Sequence, residues 1–157
     1  MVEVAPEKDI ASSLFDAENY DNDPQIALAW AGTAVEHMEI HFNLITSVPT
    51  EKLKLTNCDD ELYEAFLKEF PDFKLDVISA ESLDSKENKQ KWREFIERFS
   101  DKVEDAKFGT LVRLDSTGEY TEENTKLVLR VQFLAIEIAR NRKGLNEIAR
   151  KKYGKTS

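Results

Sequence analysis

The sequence predicts a mainly α, single-domain orthogonal helical bundle, with room for a short extended segment near residues 108–120. Three observations support this fold class. The length of 157 residues suits one domain with its own core, four segments repeat apolar residues at helical spacing, and the links between them are short. We divide the chain into an acidic, flexible arm at 1–20, the helical domain at 21–150 and a basic tail at 151–157.

The first helix is predicted to begin at Asn22-Asp23-Pro24 and to end before Pro49. Asn or Asp can cap a helix, and proline suits the first turn because the N–H that it lacks would have no helical partner there. The apolar residues recur every three or four positions, which places them on one face of the helix. This stripe consists of Ala31, Val35, Met38, Phe42 and Ile45.

Two helices rich in aromatic residues follow. Thr56 or Asn57 can cap the first of them, Asp59 and Asp60 favour its positive N-terminus, and Pro71 stops it. The apolar stripes are Leu62, Phe66 and Phe70 in the first helix, and Trp92, Phe95, Ile96, Phe99 and Val103 in the second. Both stripes predict faces that pack into a shared core.

The stretch between Gly109 and Gly118, TLVRLDST, is the least helical part of the chain and suits a short strand or an extended loop. The last long helix is predicted to run from about Glu122 to Arg142, with Gly144 as its C-cap or with helix continuing through LNEIARKKY. Because this helix is apolar on almost every side, we expect it in the middle of the domain.

Charged residues inside this apolar helix need partners or water, because burying an unpaired charge costs several kcal/mol. Glu137 and Arg140 lie one turn apart, and candidate partners in other segments are Asp59, Asp60, Arg113 and Asp115. We call this row of polar residues the polar seam. Two interpretations stay open: the polar seam is internal and fixes the helix register, or one end of it opens onto a surface that binds a partner.

The net charge of −9 is distributed unevenly. Residues 1–24 hold seven acids and one base, whereas residues 140–157 hold seven bases and one acid. The acidic excess argues against DNA binding and suits a basic protein partner, although simple solubility explains it as well. No apolar stretch is long enough to span a membrane, and the start has no secretory signal, so we expect a cytoplasmic protein.

The sequence carries no strong catalytic or metal-binding motif. Its five glycines form neither GxGxxG nor a phosphate-binding loop. His37 and His41 stand one turn apart, but the zinc-protease pattern needs a glutamate directly after the first histidine and a third ligand. Cys58 suits a small filler better than a nucleophile. We therefore expect a protein that is not an enzyme and needs no cofactor or metal.

Six blocks of the sequence resemble the polysaccharide biosynthesis domain-containing protein family of eukaryotes, in order and spacing, over about residues 20–146. The blocks are NDPQIALAWAGTAVEHMEIHFNLITSV, KLTNCDDELYEAFLKEFPDF, KWREF, FGTLVRLD, EYTEENT and VQFLAIEIARNRKG. The resemblance implies a small, mainly helical, monomeric cytosolic protein. It further implies a dedicated chaperone for translation elongation factor 1-alpha, acting on the nascent GTPase domain as it folds with GTP.

For this activity we expect a partner-binding surface made of polar residues inside the family-matching blocks. The candidates are Thr56, Asp59, Asp60, Arg113, Asp115, Glu137, Arg140 and Asn141. The ribosome is left open as a second partner, through the basic C-terminus. The family name itself suggests a competing function, a polysaccharide-biosynthesis enzyme or accessory protein.

Overall fold

The computed structural model describes residues 24–154, with side chains from residue 31 onward. The helices of this part are α1 (Pro24–Ser47), α2 (Asp59–Glu69), α3 (Ala80–Asp84), α4 (Lys86–Phe99), α5 (Arg130–Arg142) and α6 (Leu145–Tyr153). Two strands, β1 (Gly109–Arg113) and β2 (Thr125–Leu129), and a 3-10 turn at Thr50–Lys52 complete it. The predicted mainly α class is confirmed, with a small sheet in addition. The predicted arm at 1–20 lies outside the described residues, and the predicted basic tail begins inside α6.

Helix α1 buries the stripe that the sequence predicts. Ala31, Val35, Met38 and Ile45 are each at most 4% exposed, while Phe42 is partly buried. This face packs against β1 and α6. The burial of a continuous apolar stripe accounts for a helix that continues up to Ser47, close to the proline that is expected to end it.

The middle helices share an aromatic core. Phe70 and Trp92 stack with their ring centroids 4.1 Å apart, and Phe66 and Phe95 pack around them. Ser85 caps α4, because its Oγ accepts a hydrogen bond from the backbone N–H of Asn88 at 3.2 Å. The cap and the apolar face together explain why α4 begins at Lys86 in an otherwise very polar stretch.

The extended segment near 108–120 forms β1, which pairs with β2 in an antiparallel register that sets Leu111 opposite Leu127. The prediction of helix from Glu122 onward is therefore wrong for residues 122–129. The run Thr125–Leu129 is short, apolar and flanked by a turn, so it supplies hydrogen bonds to β1 instead of a first helical turn.

Helix α5 begins only at Arg130 and occupies the centre of the domain. The side chain of Gln132 accepts a hydrogen bond from the Leu129 N–H at 2.8 Å, which satisfies one free donor at the helix start. Residues 133–141 are all buried, as expected for a helix that is apolar on nearly every side. Gly144, at φ +78°, ends α5 in the left-handed region, and α6 follows at once.

Candidate functional site

Buried polar groups surround the carboxylate of Glu137 on α5. Arg140 Nη1 donates to Glu137 Oε2 at 3.0 Å, and Asn146 Nδ2 donates to Oε1 at 2.9 Å. Arg113 Nη2 lies 3.6 Å from Oε1, and His41 Nε2 lies 3.2 Å from the same oxygen. We call these five residues the Glu137 cluster; each is buried, and all but His41 are fully shielded from solvent.

The cluster joins four elements of the fold. His41 comes from the buried face of α1, Arg113 from the end of β1, and Glu137 and Arg140 from consecutive turns of α5. Asn146 reaches Glu137 from α6 because the left-handed turn at Gly144 folds the chain back over the end of α5. A single carboxylate therefore fixes how α1, β1, α5 and α6 pack together.

Most of the other donors of the two arginines bond to backbone carbonyls, while Arg113 Nη2 donates to Asn146 Oδ1 at 2.5 Å and the buried Arg113 Nε has no hydrogen-bond partner among the described residues. Arg113 Nη1 donates to the carbonyl oxygens of Ser116 and Gly118, at 2.8 and 3.0 Å. Arg140 Nε and Nη2 donate to the carbonyl oxygens of Leu75 and Leu114, at 2.9 and 3.0 Å. These bonds hold the loop after β1 and the segment before α3 against the core, and they compensate in part for the burial of two cations.

Charge and burial shift the pKa values of the buried ionisable groups in opposite directions. Burial alone raises the pKa of Glu137, but the charges of Arg113, His41 and Arg140 outweigh it and hold that pKa well below its usual value. Burial lowers the pKa of Arg140, an effect that the charge of Glu137 opposes. Burial also raises the pKa of Tyr120, whose hydroxyl donates to the Leu111 carbonyl oxygen at 3.1 Å.

These shifts limit the chemistry of the cluster. Glu137 stays ionised at neutral pH, so it cannot supply a proton as a general acid. Its ionisation stabilises the packing instead, because it sits between two guanidinium groups that cannot lose their charge. Of the two interpretations of the polar seam, the internal one describes Arg113, Glu137, Arg140 and Asn141.

The eight predicted partner-binding residues separate by exposure. Five are buried, and their polar atoms face the protein interior: Asp59, Arg113, Glu137, Arg140 and Asn141. Asp59 lies apart from the Glu137 cluster, where its carboxylate accepts hydrogen bonds from the Leu55 N–H at 2.8 Å and from the N–H and hydroxyl of Thr56, both at 2.6 Å. Arg113, Glu137, Arg140 and Asn141 present no surface for a partner in the folded domain, whereas Asp59 lines a cleft beside α2.

The other three candidates, Thr56, Asp60 and Asp115, reach solvent. Asp60 is the most exposed, with 86% of its side chain accessible, and its Oδ1 lies 2.5 Å from Arg142 Nη2. Arg142 also lies over the Tyr63 ring, 5.1 Å from its centroid. Of the two adjacent aspartates, Asp60 thus forms an ion pair with an exposed arginine, Arg142.

Asp60 lines an open cleft of about 720 Å³ beside the start of α2, which we call the α2 cleft. Its walls are residues 51–54, residues 57–61 and Arg142. Both acids and bases line it, and of the described residues in the lining only two, Leu53 and Cys58, have apolar side chains. Such a cleft suits contact with a charged protein surface better than enclosure of a small apolar ligand.

Two buried residues of the cluster escape prediction from the sequence, His41 and Asn146. His41 had a usable signal, because it stands three residues after Met38 and four before Ile45 on the buried face of α1. Asn146 had no such signal in the sequence, since its contact depends on the turn at Gly144.

Within residues 24–154, no three His, Cys, Asp or Glu side chains converge as a metal site would require, and no helix there is long and apolar enough to cross a membrane.

The match to a family model decides the relationship. The model of the PBDC1 protein family matches residues 26–151, which is most of the chain. The chain belongs to the PBDC1 family. This confirms the resemblance seen in the sequence blocks.

PBDC1 relatives are similar along the same region. Human protein PBDC1 is 50% identical over 131 residues, covering 83% of this chain and 56% of the human protein. Mouse PBDC1 is 49% identical over 130 residues, covering 83% of this chain and 66% of the mouse protein. The chain thus spans less than two thirds of either mammalian PBDC1. The PBDC1 homologue of Saccharomyces cerevisiae is 46% identical over 139 residues, covering 86% of this chain and 95% of the yeast protein.

A solution NMR structure of a Saccharomyces cerevisiae protein shares the PBDC1 fold described above. It superposes with a TM-score of 0.76 at 45% identity, covering 87% of this chain and 97% of that one. The arrangement of helices around the small sheet is therefore common to the two proteins.

Proposed function

We propose that this protein is a dedicated chaperone that binds the nascent GTPase domain of translation elongation factor 1-alpha and assists its GTP-dependent folding. The proposal comes from the family resemblance. The observation that carries it is the position of the α2 cleft, whose lining falls largely within KLTNCDDELYEAFLKEFPDF, one of the longest blocks behind that resemblance. There Asp60 and Arg142 are accessible to a partner, whereas the Glu137 cluster is not.

The charge of the chain supports a client of opposite charge. With a net charge of −9, the protein attracts a basic partner and steers its approach. A chaperone of this kind covers a client surface that is exposed before final packing. It leaves when a nucleotide-driven rearrangement of the client removes this surface, because the chaperone favours the client state to which it binds more tightly.

In this proposal the nucleotide belongs to the client. The five glycines of the chain are isolated and form no phosphate-binding loop, so GTP would bind the GTPase domain. The chaperone acts as a monomer in the cytoplasm, where the elongation factor is synthesised. Its own domain stays folded throughout, because the Glu137 cluster fixes the packing of the elements behind the α2 cleft.

Binding to the purified GTPase domain of elongation factor 1-alpha, with and without GTP, tests the proposal. We expect the full chain to bind the domain when GTP is present, since the proposed client is the nascent, GTP-bound domain. Asp60→Arg should weaken binding about tenfold or more, while the matched control Asp72→Arg, also at an exposed aspartate, should not.

Two results would contradict the proposal. The first is the absence of binding under both nucleotide conditions. The second is tight binding of a sugar nucleotide by the full chain together with no interaction with the GTPase domain, which would favour the polysaccharide-biosynthesis alternative.

A further inference from the structure

A second surface feature lies between α1, the turn at residues 104–105 and α5. It is a groove of about 370 Å³ whose floor consists of apolar side chains, among them Met38, Leu111 and Phe133. Two apolar residues on its rim, Ile40 and Leu44, are exposed by 59% and 36%. They stand one helical turn apart, so they form a continuous apolar edge. We call this feature the α1 groove.

Contiguous exposed apolar surface often marks a contact site, whereas apolar residues that are exposed singly are normal. The edge of Ile40 and Leu44 continues directly into the apolar floor, whereas the other large exposed hydrophobics, Val77 and Ile148, do not line the groove. The α1 groove therefore offers both anchor positions and a place for a partner's side chains.

Two histidines also line the groove. Nδ1 of His37, which lines the groove, is buried and has no hydrogen-bond partner among residues 31–154. An unpaired buried nitrogen costs about 1–3 kcal/mol, and because this atom is shielded from solvent it is not itself a contact for a ligand in the groove. His41, which also lines the groove, directs its Nε2 towards Glu137.

Acidic side chains stand on the rim of the groove at residues 104 and 105. Glu104 and Asp105 are both exposed. Asp105 has φ +55°, a left-handed conformation that only a few non-glycine residues adopt, which fixes the tight turn that presents the two carboxylates. Among the described side chains that line the groove, Arg130 is the one cation, so acids outnumber bases there. This balance favours a basic partner and opposes phosphate-bearing ligands such as lipids or nucleic acids.

We propose that the α1 groove binds an amphipathic, basic segment of another protein. Apolar side chains of that segment, spaced by one helical turn, would pack on Ile40, Leu44 and the floor. Its Lys or Arg side chains would face Glu104 and Asp105, as in other helix-in-groove complexes. This inference rests on the proposed function for its natural occupant, which would be a basic segment of the client that is uncovered before the GTPase domain finishes folding.

A synthetic peptide provides a direct probe. The peptide would have about 18 residues, or five helical turns, with Leu on one face and Lys elsewhere, and would carry a fluorescent label for anisotropy measurements. We expect the full chain to bind it. The double variant Ile40→Ser, Leu44→Ser should bind about tenfold or more weakly, because it removes both anchors. Val77→Ser, at an exposed apolar residue outside the groove, is the matched control and should bind as the unmodified chain does.

The charge part of the proposal has its own test. A peptide with Glu in place of Lys should bind about tenfold or more weakly, and Glu104→Gln with Asp105→Asn should reduce this preference. Equal binding of both peptides, or no effect of the double serine variant, would overturn the proposal. Competition by a peptide of residues 1–23, or a dimer that the double serine variant abolishes, would also overturn it, because the occupant would then be this chain's own arm or a second copy.

The same variants separate this inference from the proposed function. If the GTPase domain binds the unmodified chain and the double serine variant equally well, the chaperone proposal stands and the groove is not its contact. If the basic peptide binds in the groove while the GTPase domain does not bind at all, the inference about the groove stands and the client is a different basic protein.

Discussion

Glu137 and Arg113 form a fully buried ion pair that joins α5 to β1, with Oε1 and Nη2 separated by 3.6 Å. Two arginines share this one carboxylate, and backbone carbonyls and Asn146 complete the environment. Removing one partner from such an arrangement is far more harmful than the net value of the pair suggests, because it leaves the other charges buried without compensation. Glu137 is therefore expected to be the most sensitive polar position in the described domain.

Glu137→Gln should lower the free energy of unfolding by about 3–5 kcal/mol, because Arg113 and Arg140 would remain buried without a counter-charge. Urea denaturation monitored by circular dichroism measures this change. Glu123→Gln, at an exposed turn position, is the control and should change stability by less than about 0.5 kcal/mol. A loss below about 1 kcal/mol for Glu137→Gln would show that the cluster contributes little.

Stability should also depend on pH through Glu137. The folded pKa of this carboxylate lies well below the ordinary value of 4.5, so its contribution is fully present above pH 4.5 and is lost as pH falls through the folded pKa. Between pH 4.5 and the folded pKa, the free energy of unfolding of the unmodified chain should fall with decreasing pH by up to about 1.4 kcal/mol per pH unit more than that of Glu137→Gln. Urea denaturation of both proteins from neutral pH to about pH 3 gives the difference. Parallel curves for the two proteins would contradict the assignment.

The adjacent residues Asp59 and Asp60 should respond differently to the same substitution. Asp59→Ala should destabilise the domain by about 1–3 kcal/mol, since it leaves the partly buried N–H groups of Leu55 and Thr56 without their acceptor. Asp60→Ala removes only an exposed pair with Arg142 and should cost less than about 1 kcal/mol. Thermal melting of the two variants compares them directly. Equal losses would mean that the loop before α2 does not depend on Asp59.

Two glycines should have opposite responses to alanine. Gly32 lies in the interior of α1, where an added methyl group would meet open space, so Gly32→Ala should stabilise the domain by about 0.5–1 kcal/mol. Gly144 adopts φ +78° between α5 and α6, so Gly144→Ala should destabilise it by about 1 kcal/mol. Melting temperatures would shift upward for the first variant and downward for the second. A shift of the same sign in both would contradict the conformations described.

The apolar periodicity was sufficient to predict α1, α2 and α4, because each buries one face against a single core. It failed at Thr125–Leu129, where a short apolar run is compatible with both strand and helix. The deciding factor is long-range: β1 needs an antiparallel partner, and only the folded chain brings the two segments together. Local spacing cannot contain that information.

The polar cluster was predicted only in part for a similar reason. Glu137 and Arg140 stand one turn apart, so their pairing can be predicted from their spacing in the sequence. Arg113 was among the candidate partners. Whether such a cluster faces inward depends on what covers it. Here α1 supplies His41 and α6 supplies Asn146, and the second contact requires the left-handed turn at Gly144. A residue's type predicted its need for a partner but not its exposure.

A refolding assay tests the central claim, client chaperoning, most directly. The denatured GTPase domain of elongation factor 1-alpha is diluted into buffer containing GTP, with or without an equimolar amount of this protein, and the recovered GTP-binding activity is measured. The account predicts a clearly higher yield with the unmodified chain than with Asp60→Arg, and a yield for Asp72→Arg equal to that of the unmodified chain. The same yield with and without the protein would contradict the account.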